Sequence, residues 1–319
     1  MGRQGGTDGV LRMAGSRIRL RAETSAQFRY NFLPGRGTQV VRERSAKPLY
    51  VGSIPTRASS IFLHGIWTLP LLWICLFFCP PLHAQGGPPY LTNDIGTPGN
   101  MQWEIDLAYI PFLYPDHSIS NVPDVDINFG VGDRIQLTYE NAWLRLNGPS
   151  PAQYGLGQDQ LGVKWRFYGS EDSGFAVSVF PQLSINNPNH SVERGITPPG
   201  ASLLLPFEFG KKLGPLDVNW EAGYNFVHLG PDGWLAGLVV GHEFTKKLEL
   251  DAEFYSIGTF HPSTAQETLD AGLRYKIHPP VILLLMAGRS VQPAGITQPY
   301  FVGYFGLQFL LPRRPFGKD

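Results

Sequence analysis

From Met101 to Leu311 apolar and polar residues alternate with few exceptions. Residues 122–146, VPDVDINFGVGDRIQLTYENAWLRL, show it most clearly: alternation, a Gly-rich pause, then alternation again. A period of two is the repeat of a β-strand whose faces meet different surroundings, and the pause is a hairpin turn. No segment carries a convincing 3.6-residue helical pattern. The chain is therefore all-β, and its function depends on what each strand face meets: a soluble core, water or lipid.

Twelve segments of about 9–13 residues carry the alternation, at 101–112, 122–130, 134–146, 156–168, 174–185, 201–211, 215–228, 233–245, 248–257, 266–277, 281–289 and 299–311. Short connections at 131–133, 169–173, 212–214, 246–247 and 278–280 alternate with longer ones at 113–121, 147–155, 186–200, 258–265 and 290–298. The short link at 229–232 breaks this order. Strands of soluble sandwiches are usually about 5–6 residues long. A tilted membrane crossing needs about 9–11. Short turns on one side and longer loops on the other are the mark of outer-membrane barrels. The expected fold is a closed antiparallel transmembrane β-barrel of about 12 strands over 101–311, with both ends on the short-turn, periplasmic side.

The faces sort cleanly. Val125, Ile127 and Phe129 share a face with Ile135, Leu137 and Tyr139; Asp124 and Asp126 share the other with Arg134, Gln136 and Glu140. Further along, Lys164 and Arg166 oppose Val163, Trp165 and Phe167, while Arg274 and Lys276 oppose Leu273, Tyr275 and Ile277. Thirteen acidic and five basic residues have polar-face parity. A dry core could not hold that many charges, but a wet barrel lumen can. All five tryptophans after residue 100 fall on the apolar face, and Trp103, Trp143, Trp165 and Trp234 sit near strand ends, where aromatic girdles meet lipid headgroups. Trp220 is the least girdle-like.

The front of the chain differs. Residues 1–84 carry 11 Lys/Arg against 3 Asp/Glu, whereas 85–319 carry 15 against 23. Within 57–84, Arg57, an apolar run from Ile61 to Cys79 and the exit LHA form the layout of a secretory signal peptide; the alternative is a membrane anchor, which Pro70 and Pro80-Pro81 disfavour. Cys75 and Cys79 both lie in this segment, so the exported chain would carry no disulfide. Residues 1–56 are Arg-rich and aperiodic, and VGSIPTRAS at 51–59, which runs past their end, reads like transcript from the end of a transfer-RNA gene. That stretch is either upstream of the true start or a disordered basic extension. Residues 312–319 form a polar tail.

Catalytic signatures are missing. The histidines make no H-x-x-x-H pair, there is no G-x-S-x-G, and no glycine-rich loop sits between a strand and a helix. The expectation is a non-enzyme with no metal, no cofactor and no nucleic-acid partner. The most suggestive cluster is Glu249, Asp251 and Glu253, about 7 Å apart along one face of one strand. With Glu243 on the neighbouring strand they form either an acidic stripe that draws cations or binds Ca²⁺, or an ion-pair ladder with Arg274 and Lys276. The Gly/Pro-rich segment 85–100 is either a periplasmic tether or a lumen plug, since about twelve strands enclose only a narrow lumen.

Three blocks, GGPPYLTNDIGTPGNMQWEIDL, PDVDINFGVGDRIQLTYEN and GLGQDQLGVKWRFYG, resemble bacterial outer-membrane proteins associated with the meta-pathway of phenol degradation, a family that includes transporters. The family pattern Gly-x-Gly-Asp is shifted here by one residue, to Gly155-Leu156-Gly157-Gln158-Asp159. The last strand, with Tyr304, Gly306, Phe309 and Leu311, resembles the terminal signal read by the barrel-assembly machinery, though PRRPFGKD follows it. The resemblance implies an outer-membrane channel for small aromatic or other apolar solutes and brings no catalytic residues. The expected partners are outer-membrane lipid, the assembly machinery and a small-molecule solute. The competing readings are a structural or surface-interaction barrel and a soluble exported β-sandwich.

Overall fold

The computed structural model describes residues 87–148, 151–170, 174–261, 263–295 and 297–312. The segments expected at 1–56 and 57–84, and the tail beyond 312, lie outside the described residues. Strands are β1 (Trp103–Leu113), β2 (Ser118–Val131), β3 (Ile135–Asn147), β4 (Gln153–Leu156), β5 (Asp159–Gly169), β6 (Phe175–Val179), β7 (Gln182–Ile185), β8 (Ser202–Leu213), β9 (Leu216–Val227), β10 (Gly233–Thr245), β11 (Leu248–Thr259), β12 (Thr264–His278), β13 (Val281–Ser290) and β14 (Phe301–Leu311).

These fourteen strands make twelve staves. β4 and β5 both pair with β3 and form one interrupted stave. β6 and β7 both pair with β5 and β8 and form another. Pro181 explains the second break, because it has no N–H to give to a ladder. Every pairing is antiparallel, and β1 closes on β14 from Trp103↔Leu311 to Leu113↔Phe301. The protein is a closed 12-stave antiparallel barrel.

One expected boundary moves. β2 begins at Ser118, so the loop before it is 114–117. The register slips between Asn121 and Asp124, around Pro123, and pairing with β3 then resumes as Ser118↔Asn147 to Asn121↔Leu144. A proline in a bulge costs no ladder bond, and the strand runs on past the point where alternation stops being readable. The longest connections, 186–201 and 291–300, still lie on one end, together with 148–152. The other end carries 132–134, 170–174, 214–215, 246–247 and 279–280.

The barrel is apolar outside and charged inside. Outward Leu161, Trp165 and Leu269 are 46%, 52% and 56% exposed, while inward Glu208, Asp106 and Glu253 are 0–1% exposed. A water-soluble protein has the opposite distribution; an apolar exterior belongs against lipid. Aromatic side chains form two bands. Near the short turns, Trp103 meets Phe129 at 4.5 Å, Trp165 meets Phe167 at 5.7 Å, and Trp220 stacks on Phe209 at 5.3 Å. Trp220 therefore sits in a band and is not isolated. Toward the long loops lie Trp143, Trp234 and the Tyr224–Phe260 stack at 5.1 Å. On β3, Trp165 faces Ile135, and Trp143 is eight residues further on. That is about 27 Å along a strand, or roughly 20 Å of depth at barrel tilt, close to the apolar belt of such barrels.

Loop 228–232 is closed by Asp232, whose carboxylate accepts the Val227 N–H (2.9 Å) and the Tyr224 hydroxyl (2.8 Å). The Val227 N–H first, then the Tyr224 hydroxyl, holds this exposed carboxyl below the ordinary aspartate range. A depressed carboxyl keeps its bonds above its ordinary pKa and loses them as pH falls through its lowered one. Hydrogen exchange at Val227 should therefore be protected at neutral pH and lose that protection in acid; D232N should be less protected already at neutral pH.

Candidate functional site: the lumen and the strap inside it

Inward parity brings most of the charged side chains to a common lumen. Asp124, Glu249, Asp251, Glu253, Glu243, Lys164, Arg166 and Arg274 are all buried there, and Asp126 and Glu140 are partly buried on the same wall. Two basic residues sit elsewhere than expected. Arg134 is an exposed residue of the 132–134 turn, with its carbonyl accepting from the Arg166 N–H. Strand parity does not extend to it because β3 starts one residue later, at Ile135. Lys276 lies at the short-turn mouth, where its half-exposed ammonium pairs with Glu243 at 3.4 Å.

Residues 87–97 run inside the barrel as a strap, gripped by its main chain. Glu253 accepts the N–H groups of Leu91 (3.0 Å) and Thr92 (2.5 Å). Glu221 accepts the N–H and the side-chain amide of Asn93 (2.9 and 3.1 Å). Beyond them the polarity reverses: Lys164 donates to the Asp94 carbonyl (2.6 Å) and Arg166 to the Ile95 carbonyl (3.1 Å). Carboxylates thus hold strap N–H groups, and cations hold strap carbonyls. Charge-assisted bonds of this kind are about twice as strong as neutral ones. Lys164 is anchored in turn by Asp94 (3.4 Å) and Glu208 (3.6 Å).

Close approach of the N-terminal segment explains two glycines, by backbone at Gly130 and by a side chain at Gly237. Gly130 and residues 99–102 exchange main-chain bonds: Met101 N–H to Gly130 O (2.8 Å) and Gly130 N–H to Gln102 O (3.0 Å). A Cβ at Gly130 would overlap the Gly99 carbonyl, and one at Gly237 would overlap Thr92. G130A should accordingly loosen the strap's root, read as faster proteolysis between 97 and 102 in the detergent-solubilised protein while the heat-modified gel shift of the barrel is kept.

The register clarifies the Glu243, Glu249, Asp251, Glu253 group. Glu243 lies directly across from Glu249, Arg274 across from Glu249 on the other side, and Asp270 across from Glu253. Asp251 lies across from Gly272, against which the Tyr90 hydroxyl of the strap is placed. The stripe is thus largely occupied, by the strap at Glu253 and by the basic residues of β12 lower down. Among the described residues no group of three or more His, Cys, Asp or Glu is arranged to hold a metal ion.

Two cavities share the lumen. One of about 330 Å³ is bounded by the strap, Glu104, Asp126, Lys164 and Arg274. The other, of about 360 Å³, opens toward the long loops under residues 196–202. Asp124, Glu140 and Gln160 line both, and so lie where the two adjoin. The lumen wall also has an apolar sector, with Ile110, Ile282, Leu284, Met286, Val302 and Tyr304 packed with Tyr90. Alternation at β13, VILLLM, hides this sector, because both of its faces are apolar.

No family model and no curated protein sequence matches the chain. Solved structures do resemble it in fold. An outer-membrane channel from Pseudomonas putida F1 superimposes with a TM-score of 0.51 at 10% identity, over 72% of this chain and all of that one. The NanC porin gives a TM-score of 0.47 at 9% identity, over 64% of this chain and 98% of its own. The KdgM porin gives 0.46 at 13% identity over the same shares. The fold is that of an outer-membrane β-barrel, reached here from an apolar exterior, a charged lumen and a closed ring of twelve staves.

Proposed function

We propose that the protein is a channel of a Gram-negative-type outer membrane that passes small solutes, with the 87–97 strap obstructing its periplasmic half. The observation that supports this best is the pair of adjoining cavities that share Asp124, Glu140 and Gln160 in their walls. A purely structural barrel needs no such space and could fill its lumen with side chains, as eight-strand barrels do. The short turns would face the periplasm and the long loops the exterior, so the chain would be assembled by the barrel-insertion machinery after export. For the solute, the resemblance to the phenol meta-pathway proteins favours an aromatic or apolar body. The apolar lumen sector from Ile110 to Tyr304 supports it.

The test is reconstitution of the full exported chain in planar bilayers and in proteoliposomes. Stepwise currents, together with swelling in small neutral solutes such as benzyl alcohol, are expected. A barrel that inserts and shows the heat-dependent gel shift, yet gives neither current nor uptake with or without the strap, would be a structural or surface-interaction protein instead.

A further inference from the structure

A groove in the outer wall lies where the wall is irregular. On one side of β3 the β2 register slips at Pro123, and on the other the β4–β5 stave breaks at Gly157-Gln158. The groove between these two faults has a volume of about 720 Å³, with apolar sides from Val125, Trp143, Leu156 and Pro188. That is about twice the volume of either lumen cavity and within the range of ligand sites. Asn141 and Asp159 line it too, so an apolar groove carries a polar notch.

Asp159 shares the outward parity of Leu161 and lies beside Asn141, one step past the last β3–β5 pair, Glu140↔Gln160. Its Oδ1 accepts the Tyr139 hydroxyl (2.9 Å) and the Asn141 amide (2.7 Å). Its Oδ2 has no hydrogen-bond partner among the described residues. Hydrocarbon offers that oxygen no donor. Its depth decides what can. Asp159 lies two residues below the Trp143 level, which is about 5 Å of depth at barrel tilt. That is the junction of headgroup and acyl chains. Glycerophospholipids present ester carbonyls there, which accept only and do not match a carboxylate. Acyl chains joined to an aminosugar by amides, or carrying hydroxyls, present N–H and O–H donors. Two residues above Trp143, at headgroup level, the charge changes sign. Arg145 is exposed, with its guanidinium over the Tyr154 ring at 5.8 Å, and the exposed Arg194 donates to the Tyr154 carbonyl. Neither arginine has an ion-pair partner among the described residues. Guanidinium groups of this kind suit phosphate.

We propose that this groove seats one outer-leaflet lipid built on a phosphorylated, acylated aminosugar. Its phosphate would meet Arg145 and Arg194, an amide or hydroxyl of its chains would donate to Asp159 Oδ2, and one acyl chain would lie along Val125 and Leu156. The assignment shares with the channel reading an outer wall against lipid and long loops toward the exterior, and it needs no conduction.

The experiment is titration of the full-length, detergent-solubilised protein, followed by native mass spectrometry, with hexa-acyl monophosphoryl lipid A, dioleoylphosphatidylglycerol and dioleoylphosphatidylethanolamine. Lipid A should bind at least about tenfold more tightly than either phospholipid, because a hydrogen bond to a charged group is worth more than a neutral one. D159L should weaken lipid A by a similar factor and leave phosphatidylglycerol unchanged, whereas a merely disturbed wall would weaken both. R145Q/R194Q should weaken both, since each carries a phosphate. If D159L fails the gel-shift test of folding, V125W is measured, which fills the groove and leaves every charge in place. L269A, on the opposite side of the ring, should bind as wild type. Equal affinity for lipid A and a phospholipid, or unchanged lipid A binding in the groove variant, would overturn the seat. Bilayer recordings separate this from the channel reading: lipid A held through Asp159 without current removes the channel and keeps the seat, and current without lipid A preference does the reverse.

Discussion

Deleting residues 86–99 should raise single-channel conductance several-fold. The strap occupies the lumen between β5, β8, β9 and β11, and its side chains pack onto bare glycine backbone: Thr92 lies over Gly237 and Ile95 over Gly210. Its seat is also close to balance. Six hydrogen bonds from charged lumen groups hold Leu91 to Ile95, each worth about 1.5–3 kcal/mol. Ordering a strap of this length costs about 1–2 kcal/mol per residue. The two totals are of the same size, so a small loss should tip the strap out. E221Q/E253Q, which replaces anionic acceptors by neutral amides, should give a large part of the deletion's effect. G237V should do the same by a different route, because its side chain would occupy the space of Thr92 while leaving every charge in place. The measurement is conductance in planar bilayers at fixed salt. If the deletion and G237V both leave it at the wild-type value, the strap does not obstruct the pore.

L161R should destabilise the barrel by about 2–4 kcal/mol, the cost of a cation at the lipid midplane of such barrels. Leu161 pairs with Tyr139 on one side and Leu183 on the other, half-way between the Trp165 and Trp143 levels. Its side chain is 46% exposed on the outer wall, so in the membrane it meets lipid. The comparison is S184K. Ser184 is the next residue along from Leu183, with inward parity, and lines the cavity under the long loops. Its lysine would meet water and the Asp124 and Glu140 carboxylates, so stability should change by no more than about 0.5 kcal/mol, as surface changes usually do, while ion preference should shift. Both are read by denaturant unfolding in lipid vesicles. Equal, small effects would mean that the outer wall does not face lipid.

Much of this was legible from alternation because a strand's two faces are a local property. Val125, Ile127 and Phe129 had to share a side whatever the rest of the chain did, and so did Asp124 and Asp126. The number of staves followed from the number of alternating segments, and the aromatic bands from the positions of Trp103, Trp143, Trp165 and Trp234 within them. Alternation failed where it does not exist. It stopped short of Ser118–Asn121 because of the bulge at Pro123, and it overreached at Arg134, which the turn takes out of the strand. It did not show the breaks at Gly157-Gln158 and Phe180-Pro181, where each half still has strand character.

The single-strand stripe of Glu249, Asp251 and Glu253 was visible in the chain because its spacing is two. The transverse row of Asp106, Asp126 and Glu140 was not, since its successive members are 20 and 14 positions apart and meet only through the registers of β1 with β2 and β2 with β3. The strap's seat needed more still. Glu221, Glu253, Lys164 and Arg166 come from staves around the ring, and only closure of β1 on β14 puts residues 91–95 within reach of all four. The sequence by itself determined an inside, an outside and a count of staves, because each depends on neighbours two residues apart. Which charges face one another, and which of them the chain's own N-terminal segment occupies, was decided only by register and closure, which join residues that no local pattern connects.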